Sequence, residues 1–297
     1  MNILVSGLLN TETTAAVRGF PIPYYPIDYP FFGVNTAVSG VAFNLSKALR
    51  TLGDDVRLIS MTGDDFAGAY IRDTLRGLEI PQTHVLSELR QTPGSVVLYD
   101  PEGKRQIYSD LKDIQETAYP FTPDLLEGVD LVAACNINFN RPLLHMAKAA
   151  GKTIATDVHV LSNIYDDYNR EFMEHADILF LSDEHVGEDY GGFLRHLADA
   201  YGNSIIVLGR GGKGAAMYLR ETDKMVEMPA VSAGQVVNTV GAGDSLFSSF
   251  LHYIAKGYHP TDALYRAQVF AAHKITVSGA SNGFVSEETI EDWIKRQ

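Results

Sequence analysis

The feature that most limits the possible folds is a repeated alternation of short apolar segments and amphipathic helices. The apolar residues of Val41–Leu52 recur on one helical face, and a similar apolar stripe follows Asp244. Strands joined by helices of this kind pair in parallel, and the helices cover both faces of the sheet. We therefore predict an α/β protein with a mainly parallel central sheet. Its predicted strands are Ile3–Ser6, Val56–Met61, Leu131–Ala134, Thr153–Thr156, Ile178–Leu181 and Ile205–Leu208.

Two segments do not fit this alternation. Residues Thr11–Phe32 are rich in Pro, Tyr and Phe, and Ser95–Ser109 has the pattern of a β-hairpin around a turn with Pro and Gly. The sequence alone leaves two interpretations open. Both segments form a small sheet that stands away from the core, or both are surface excursions.

The segment Asn238–Asp244, Asn-Thr-Val-Gly-Ala-Gly-Asp, carries the strongest functional signal. Its two glycines allow backbone N–H groups to converge, and the helix that follows points the positive end of its dipole to the same place. We predict an anion hole made by the amides of Gly241, Ala242 and Gly243. Asp244, on the first turn of that helix, is placed to take a proton from a hydroxyl group that attacks a bound phosphate. The segment therefore indicates phosphoryl transfer.

The sequence alone also allows a simpler interpretation of this segment. Gly-Ala-Gly before a helix also forms an ordinary tight turn, and an Asp in a first helical turn is often only a favourable partner of the helix dipole. The segment also lacks the Gly-Lys-Ser/Thr ending of a P-loop, so it supplies neither a lysine nor a magnesium-binding hydroxyl.

Charge and cysteine content narrow the class of partner. The formal net charge is −13, and such a field repels nucleic acid and anionic lipid, which favours a small-molecule partner. The single cysteine, Cys135, cannot form an internal disulfide, and the first residues are typical of a buried strand rather than a signal peptide. No apolar run approaches the length of a membrane span. We expect a cytoplasmic protein that binds neither nucleic acid nor membranes.

Three patterns typical of other enzyme classes lack their structural context. Gly209–Gly214 has the spacing of a dinucleotide fingerprint, yet a strand rather than a helix is predicted after it. Gly279–Gly283 has the spacing of a nucleophile elbow, yet the next helix is predicted only after Ser286. The nine histidines lack the spacing of metal ligands. The sequence therefore disfavours a dehydrogenase, a serine hydrolase and a histidine metal centre.

Asn238–Asp244 closely resembles the Asp-Thr-x-Gly-Ala-Gly-Asp signature of the ribokinase-like (PfkB) carbohydrate kinase family. Further similarity extends over nearly the whole chain, in the order and spacing of the family. Gly7–Glu12 resembles Gly-x-x-Asn-x-Asp, Ser39–Ser46 resembles Gly-Gly-x-x-x-Asn-x-Ala, Gly63–Gly68 matches Gly-x-Asp-x-x-Gly, and Gly279-Ala280 matches a Gly-Ala near the C-terminal end.

This resemblance implies a single ribokinase-like domain over residues 1–297, with a three-layer α/β/α fold. A small β-sheet lid, made of residues from about 11–33 and 92–110, is then expected to cover the sugar site and to form a homodimer. The resemblance also implies ATP and Mg²⁺ as cofactors, Asp244 as the catalytic base, and a potassium-like ion (K⁺) bound by backbone carbonyls near Asn238 and Val240.

The matching residues divide into two expected groups. The acceptor, a small sugar or nucleoside, is expected to contact Asn10, Glu12, Ser39, Gly40 and Asn44. The nucleotide is expected to contact Ser182, Gly211, Gly214, Gly279 and Asn282.

The sequence departs from the family's pattern at three places. The usual Asn-x-x-Glu, which organises magnesium and phosphate through water, is replaced by Ser182-Asp183-Glu184-His185. Either Glu184 or Asp183 serves the metal from a shifted position, or this role is lost. Asn238 replaces the first Asp of the signature. Glu12 adds a methylene group where sugar hydroxyls are expected, which favours an altered or smaller acceptor.

We therefore expect a kinase that transfers the γ-phosphate of ATP to a primary hydroxyl of a small sugar or nucleoside. The alternative is a catalytically inactive protein of the same fold that binds a sugar or nucleotide, or that has a regulatory role. The missing Asn-x-x-Glu supports the alternative, and the intact Gly-Ala-Gly-Asp supports the kinase.

Overall fold

A computed structural model describes residues 1–297, and its strands form two sheets. Strands β1 to β13, in chain order, are Asn2–Ser6, Asn10–Ala16, Val34–Ser39, Asp55–Gly63, His84–Leu89, Gly94–Tyr99, Arg105–Asp110, Leu131–Ala134, Thr153–Val160, Ile178–Ser182, Ile205–Gly209, Ala215–Leu219 and Lys224–Met228. Helices α1 to α8 are Val41–Thr51, Phe66–Gly77, Arg141–Ala149, Arg170–His175, Tyr190–Tyr201, Ala242–Ala255, Pro260–Lys274 and Glu287–Lys295.

The larger sheet has nine strands in the order β13-β12-β11-β10-β9-β8-β1-β4-β5. The seven strands β11, β10, β9, β8, β1, β4 and β5 are parallel to one another. Strands β12 and β13 add an antiparallel edge. Helices cover both faces, because one buried apolar cluster includes residues of α1, α2, α6, α7 and α8, and a second includes residues of α3, α4 and α5. The predicted α/β fold with a mainly parallel central sheet is confirmed. None of the helices combines the length and apolar character needed to cross a membrane.

All six predicted strands are present, and most extend beyond the predicted limits. The predicted helix Val41–Leu52 is α1, which ends at Thr51 with Leu52 as its C-terminal cap. The sequence did not indicate β5, an edge strand with only two buried side chains, Val85 and Leu89. An edge strand that buries so little lacks the apolar run by which the other strands were recognised.

The smaller sheet has four strands in the order β3-β2-β6-β7. Strands β6 and β7 are the two arms of the predicted hairpin. Only the beginning of the segment Thr11–Phe32 lies in this sheet, because β2 ends at Ala16 and its partner β3 begins at Val34. The prolines between them lack the N–H that a strand ladder requires, which accounts for the irregular path of this loop. They are Pro21, Pro23, Pro26 and Pro30.

The two sheets meet at the carboxyl edge of the parallel strands. Strand β2 follows β1 after three residues, and β3 leads through Gly40 into α1. Ligands of open α/β sheets bind beyond the carboxyl ends of the strands. The fold therefore places the small sheet beside the edge where a ligand site is expected.

Candidate active site

The N-terminus of α6 is built on Gly241. This residue precedes the helix in a left-handed conformation, with φ of 78°. A Cβ atom on Gly241 would lie 2.1 Å from the carbonyl oxygen of Ala280, so a side chain here would force the two loops apart. The loop Gly279–Gly283 therefore lies directly against the start of α6.

Free backbone amides are present at this helix N-terminus. The N–H groups of Gly241, Gly243 and Asp244 have no acceptor within the protein, as is usual for a first helical turn. The N–H of Ala242 differs from the expectation, because it donates to the carbonyl oxygen of Thr239 at 3.2 Å and closes the turn. The donors available to an anion are thus those of Gly241, Gly243 and, beyond the prediction, Asp244 itself.

The carboxylate of Asp244 is held by a residue distant in sequence. Its Oδ2 accepts a hydrogen bond of 2.7 Å from Nδ2 of Asn44, on the first turn of α1. Burial raises the pKa of Asp244, and the Asn44 hydrogen bond and the nearby His159 and Lys274 oppose this rise. A carboxylate with a raised pKa is better suited to accept a proton near neutral pH.

The predicted acceptor residues meet where the small sheet joins α1. Asn10, the first residue of β2, lies opposite Ser39, the last residue of β3, and Gly40 follows as the N-cap of α1. The side-chain oxygens of Asn10 and Asn44 are buried and have no hydrogen-bond partner in the protein. Because such a group costs about 1–3 kcal/mol when left unpaired, both are suited to bind hydroxyl groups of a ligand.

Glu12 faces the same region from β2. Its Oε2 accepts a hydrogen bond of 3.4 Å from the hydroxyl of Ser39. Burial raises the pKa of Glu12, with a further rise caused by the negative charge of Asp244, while Ser39 and Arg105 lower it. Because the charge of Asp244 acts on Glu12, the two carboxylates lie in one region of the structure.

A cleft of about 830 Å³ lies between the small sheet and the loops next to α6 and α7. This volume is within the range of small-molecule sites. The cleft brings together predicted residues of all three classes, namely the acceptor, nucleotide and ion groups. They are Glu12, Ser39, Asn238, Val240, Gly279 and Asn282.

Other predicted nucleotide residues lie outside this cleft. Ser182, at the end of β10, pairs with Gly209 at the end of β11, and Gly211 and Gly214 belong to the turn between β11 and β12. They are thus on the same carboxyl edge of the sheet, but they do not line the cleft. Glu184 is exposed, and its backbone N–H donates to the hydroxyl of Ser182 at 3.4 Å.

In the structure, the sequence patterns typical of other enzyme classes lack the local fold that those classes require. The strand β12 follows Gly214 and pairs antiparallel with β11, so Gly209–Gly214 does not open a helix. Gly279–Gly283 does not open a helix either, because α8 begins at Glu287 with Ser286 as its N-cap. No group of three or more His, Cys, Asp and Glu side chains is arranged to hold a metal ion. Neither a dinucleotide fingerprint nor a nucleophile elbow is present.

Sequence reasoning missed three titratable residues around the site. Asp157 and His159, at the end of β9, both influence the pKa of Asp244, and Arg105 of β7 lines the cleft beside Glu12. Asp157 could have been found, because it directly follows a predicted strand on the edge where ligands bind. Arg105 gave no such signal, because its direction depends on how the hairpin folds over the site.

A fourth missed residue is Lys274, the last residue of α7. Its side chain is fully buried, and Nζ donates to the carbonyl oxygen of Val240 and lies 3.5 Å from that of Asn238. Burial lowers the pKa of Lys274 to about 8, against the opposing effect of Asp244. The sequence held a signal, because Lys274 lies four residues after buried Phe270 on an apolar helix face.

Comparisons with known proteins identify relatives of this chain. A family model described as pfkB family carbohydrate kinase matches residues 2–287. The chain is 26% identical over 262 residues to a nucleoside kinase of Methanocaldococcus jannaschii, covering 82% of this chain and 80% of that one. It is 26% identical over 274 residues to the fructosamine kinase FrlD of Bacillus subtilis, covering 89% and 91%. The solved structure of a microbiome-derived acarbose kinase, Mak1, matches with a TM-score of 0.86 and 25% identity over 99% of each chain.

The contact between Gly241 and Ala280 generates a prediction about stability. We expect Gly241→Ala to lower the free energy of unfolding by about 1–3 kcal/mol, because the new Cβ meets a carbonyl oxygen and φ is positive. The matched variant Gly243→Ala, whose Cβ meets no atom within 4 Å, should change it by less than about 0.5 kcal/mol. Urea unfolding of both variants measures the difference, and equal stabilities would contradict the assigned turn.

Proposed function

Because the chain belongs to the pfkB family of carbohydrate kinases, we propose that it transfers the γ-phosphate of ATP to a primary hydroxyl group of a small sugar or nucleoside. The observation that carries this proposal is the 2.7 Å hydrogen bond between Asn44 and Asp244. This hydrogen bond joins α1, which begins beside the acceptor residues, to α6, which begins with free amides. Asp244 thus has acceptor residues on one side and an anion site on the other, as a base in phosphoryl transfer requires.

Asp244 is the proposed general base. The hydrogen bond from Asn44 occupies only Oδ2 of the Asp244 carboxylate, so Oδ1 of Asp244 is free to accept the proton of the attacking hydroxyl. The raised pKa strengthens this oxygen as a proton acceptor. The amides of Gly241 and Gly243, with that of Asp244, would stabilise charge on the transferred phosphoryl group, at about 3–4 kcal/mol per donor in comparable anion holes.

The acceptor is proposed to bind between the small sheet and α1. The unpaired oxygens of Asn10 and Asn44 would accept hydrogen bonds from its hydroxyls, and Ser39 and Gly40 would form the adjacent wall. Glu12, with its extra methylene group, reaches further than an Asp and favours an altered or smaller acceptor. Pentoses and nucleosides belong to the proposed acceptor classes, and the similar proteins include a nucleoside kinase and a fructosamine kinase. Pentoses, nucleosides and fructosamines are therefore the classes to test first.

ATP is proposed to lie along the carboxyl edge of the large sheet. Its phosphates would face the free amides at α6, and the rest of the nucleotide would contact Ser182, Gly211, Gly214, Gly279 and Asn282. When bound, Mg²⁺ would neutralise charge on the phosphates; it usually needs one or two protein carboxylates and keeps several waters. The exposed Glu184, beside Asp183 at the end of β10, fits that requirement.

A second candidate function is a protein of this family that binds ligands without turnover. The observation in its favour is the loss of Asn-x-x-Glu, which leaves Ser182 and His185 at the two key positions. The intact base and free amides of α6 favour the kinase.

The small sheet is proposed to act as a lid that closes over the acceptor and pairs with a second subunit. The loop between β2 and β3 exposes many apolar side chains, with Phe31 86% and Phe32 99% exposed. Strand β7 adds Ile107 and Tyr108, each more than half exposed. An apolar surface of this extent is typical of an interface.

The role of Asp244 can be tested directly. We expect Asp244→Asn to lower kcat by at least about a hundredfold, because it removes a base worth roughly 10²–10⁴, while folding and ATP binding change little. The kcat of the parent should rise with pH through the raised pKa of Asp244, because the base acts when deprotonated. A coupled assay of ADP release, with calorimetry of ATP binding, measures both.

The matched control for this variant is Asp262→Asn. Asp262 also lies in the first turn of a helix, α7, but no anion hole precedes it. We expect its kcat to equal that of the parent. Parent-like kcat in a folded Asp244→Asn variant would contradict the assignment of the base.

Replacement of Glu184 tests the shifted metal site. We expect Mg²⁺-dependent turnover in the parent, and about tenfold more Mg²⁺ for half-maximal rate in Glu184→Gln, because a neutral amide attracts the ion less. Glu188→Gln, an exposed acidic residue of the same loop, is the control and should titrate like the parent. If Glu184→Gln titrates like the parent, Glu184 has no role in metal binding; if no acceptor supports Mg²⁺-dependent turnover, the non-catalytic candidate is favoured.

The proposed lid interface predicts a homodimer at micromolar concentration. Multi-angle light scattering should report twice the mass of one chain, and the double variant Phe31→Ser, Phe32→Ser should report one chain, because it removes exposed rings from the interface. Tyr165→Ser, which removes an exposed ring outside the small sheet, should remain a dimer. A monomeric parent would rule out this interface.

A further inference from the structure

The two carbonyl groups at which a potassium-like ion was expected are already bound by a side chain. Lys274 Nζ donates to the carbonyl oxygen of Val240 and lies 3.5 Å from that of Asn238. The side chain is fully buried, so the ammonium group cannot move out into solvent without unpacking α7. A metal ion on the same two oxygens would stand in contact with a second positive charge. The residues of this chain therefore do not fit a bound monovalent cation here.

The ammonium group acts on the peptide unit that opens the anion hole. The carbonyl of Val240 and the N–H of Gly241 belong to the same peptide unit, which is trans in this structure. In a trans peptide these two groups point in opposite directions. Because Lys274 holds the carbonyl of Val240 on the side of α7, the N–H of Gly241 is directed away from α7. That N–H is one of the amides without an acceptor in the protein.

The end of α7 fixes this segment at several points. The carbonyl oxygen of Ile275, next to Lys274, accepts hydrogen bonds from the N–H groups of Val237 and Asn238 at 2.8 and 3.1 Å. Asn238 in turn accepts the N–H of Val240 on its side-chain oxygen at 2.7 Å. The carbonyls of Asn238 and Val240 receive their donor from Lys274. The two carbonyls at which an ion was expected therefore have a donor within the protein.

The charges around Lys274 explain why a buried ammonium group is tolerated. Asp244 is its negative neighbour, and the carboxyl end of α7 adds the negative end of a helix dipole. Arg105, across the cleft, is a positive group that lowers the pKa of Lys274. A buried cation with a carboxylate partner and two carbonyl acceptors meets the conditions under which such groups persist in proteins.

We propose that Lys274 is a positioning residue whose ammonium group takes the place of a monovalent metal ion and orients the Gly241 amide toward the transferred phosphoryl group. The catalytic part of this inference rests on the proposed kinase function, and the structural part does not. Stability and turnover of the parent protein are then independent of K⁺.

The test compares parent and Lys274→Ala in KCl, NH₄Cl and tetramethylammonium chloride at equal ionic strength. The parent should have the same Tm and kcat in all three salts. In tetramethylammonium, Lys274→Ala should lose at least about tenfold in kcat with a smaller change in the KM for the acceptor, because an oriented amide acts in the transition state. K⁺ or NH₄⁺ should restore much of this kcat and raise the Tm of Lys274→Ala, because either ion binds only the folded variant.

Two further variants keep the test decisive. Lys148→Ala, which removes a half-exposed lysine paired with Asp177, should behave like the parent in every salt. Lys274→Met fills the same space without charge, so its kcat should fall and no cation should restore it. If Lys274→Ala does not fold, parent-like kcat in Lys274→Met overturns the inference.

Results that overturn the inference differ from results that overturn the proposed function. A parent whose Tm or kcat depends on K⁺, or a folded Lys274→Ala whose Tm ignores all cations, overturns the inference. If no acceptor supports turnover in the parent, the proposed function is wrong, while the Tm response of Lys274→Ala still decides whether the ammonium group replaces an ion.

Discussion

The close approach of Gly241 to the carbonyl of Ala280 is the constraint on which the site depends. A residue with a side chain would separate these two loops, because its Cβ would lie 2.1 Å from the carbonyl oxygen. The left-handed turn at Gly241 starts α6, leaves the amides of Gly241, Gly243 and Asp244 without acceptors and places Asp244 on the first helical turn. One backbone contact thus positions the anion site, the proposed base and the loop that carries Gly279 and Asn282.

The electrostatics of the site extend from this turn. Asp244 lies in a protein with a formal net charge of −13, yet its surroundings include Lys274, His159 and free amides. Burial raises the pKa of Asp244 and lowers that of Lys274, and each group partly reverses the shift of the other. An acidic protein can therefore bind the phosphates of ATP, because the attraction comes from local donors rather than from the overall field.

The sequence predicted those features that depend on local pattern. The buried strands, the hairpin and the Gly-Ala-Gly-Asp segment follow from apolar runs, turn residues and the geometry of a helix start. The hydrogen bond of Ala242 and the path of the loop between β2 and β3 were not readable, because turn closure and strand partners are decided by packing. Lys274 was visible as a charge on an apolar face, but its acceptors, Asn238 and Val240, are known only once α7 lies beside them.

The proposed activity of this site is transfer of a phosphoryl group from ATP to a carbon-bound hydroxyl. Phosphorus NMR of the reaction with ATP, Mg²⁺ and a panel of pentoses, nucleosides and fructosamines tests it most directly. We expect one acceptor class to give ADP and an equal amount of a phosphate monoester whose splitting identifies a primary carbon. Release of inorganic phosphate at the same rate with or without any acceptor would show that the protein is not a sugar or nucleoside kinase. Intact ATP in the presence of a folded protein that binds it would show the same.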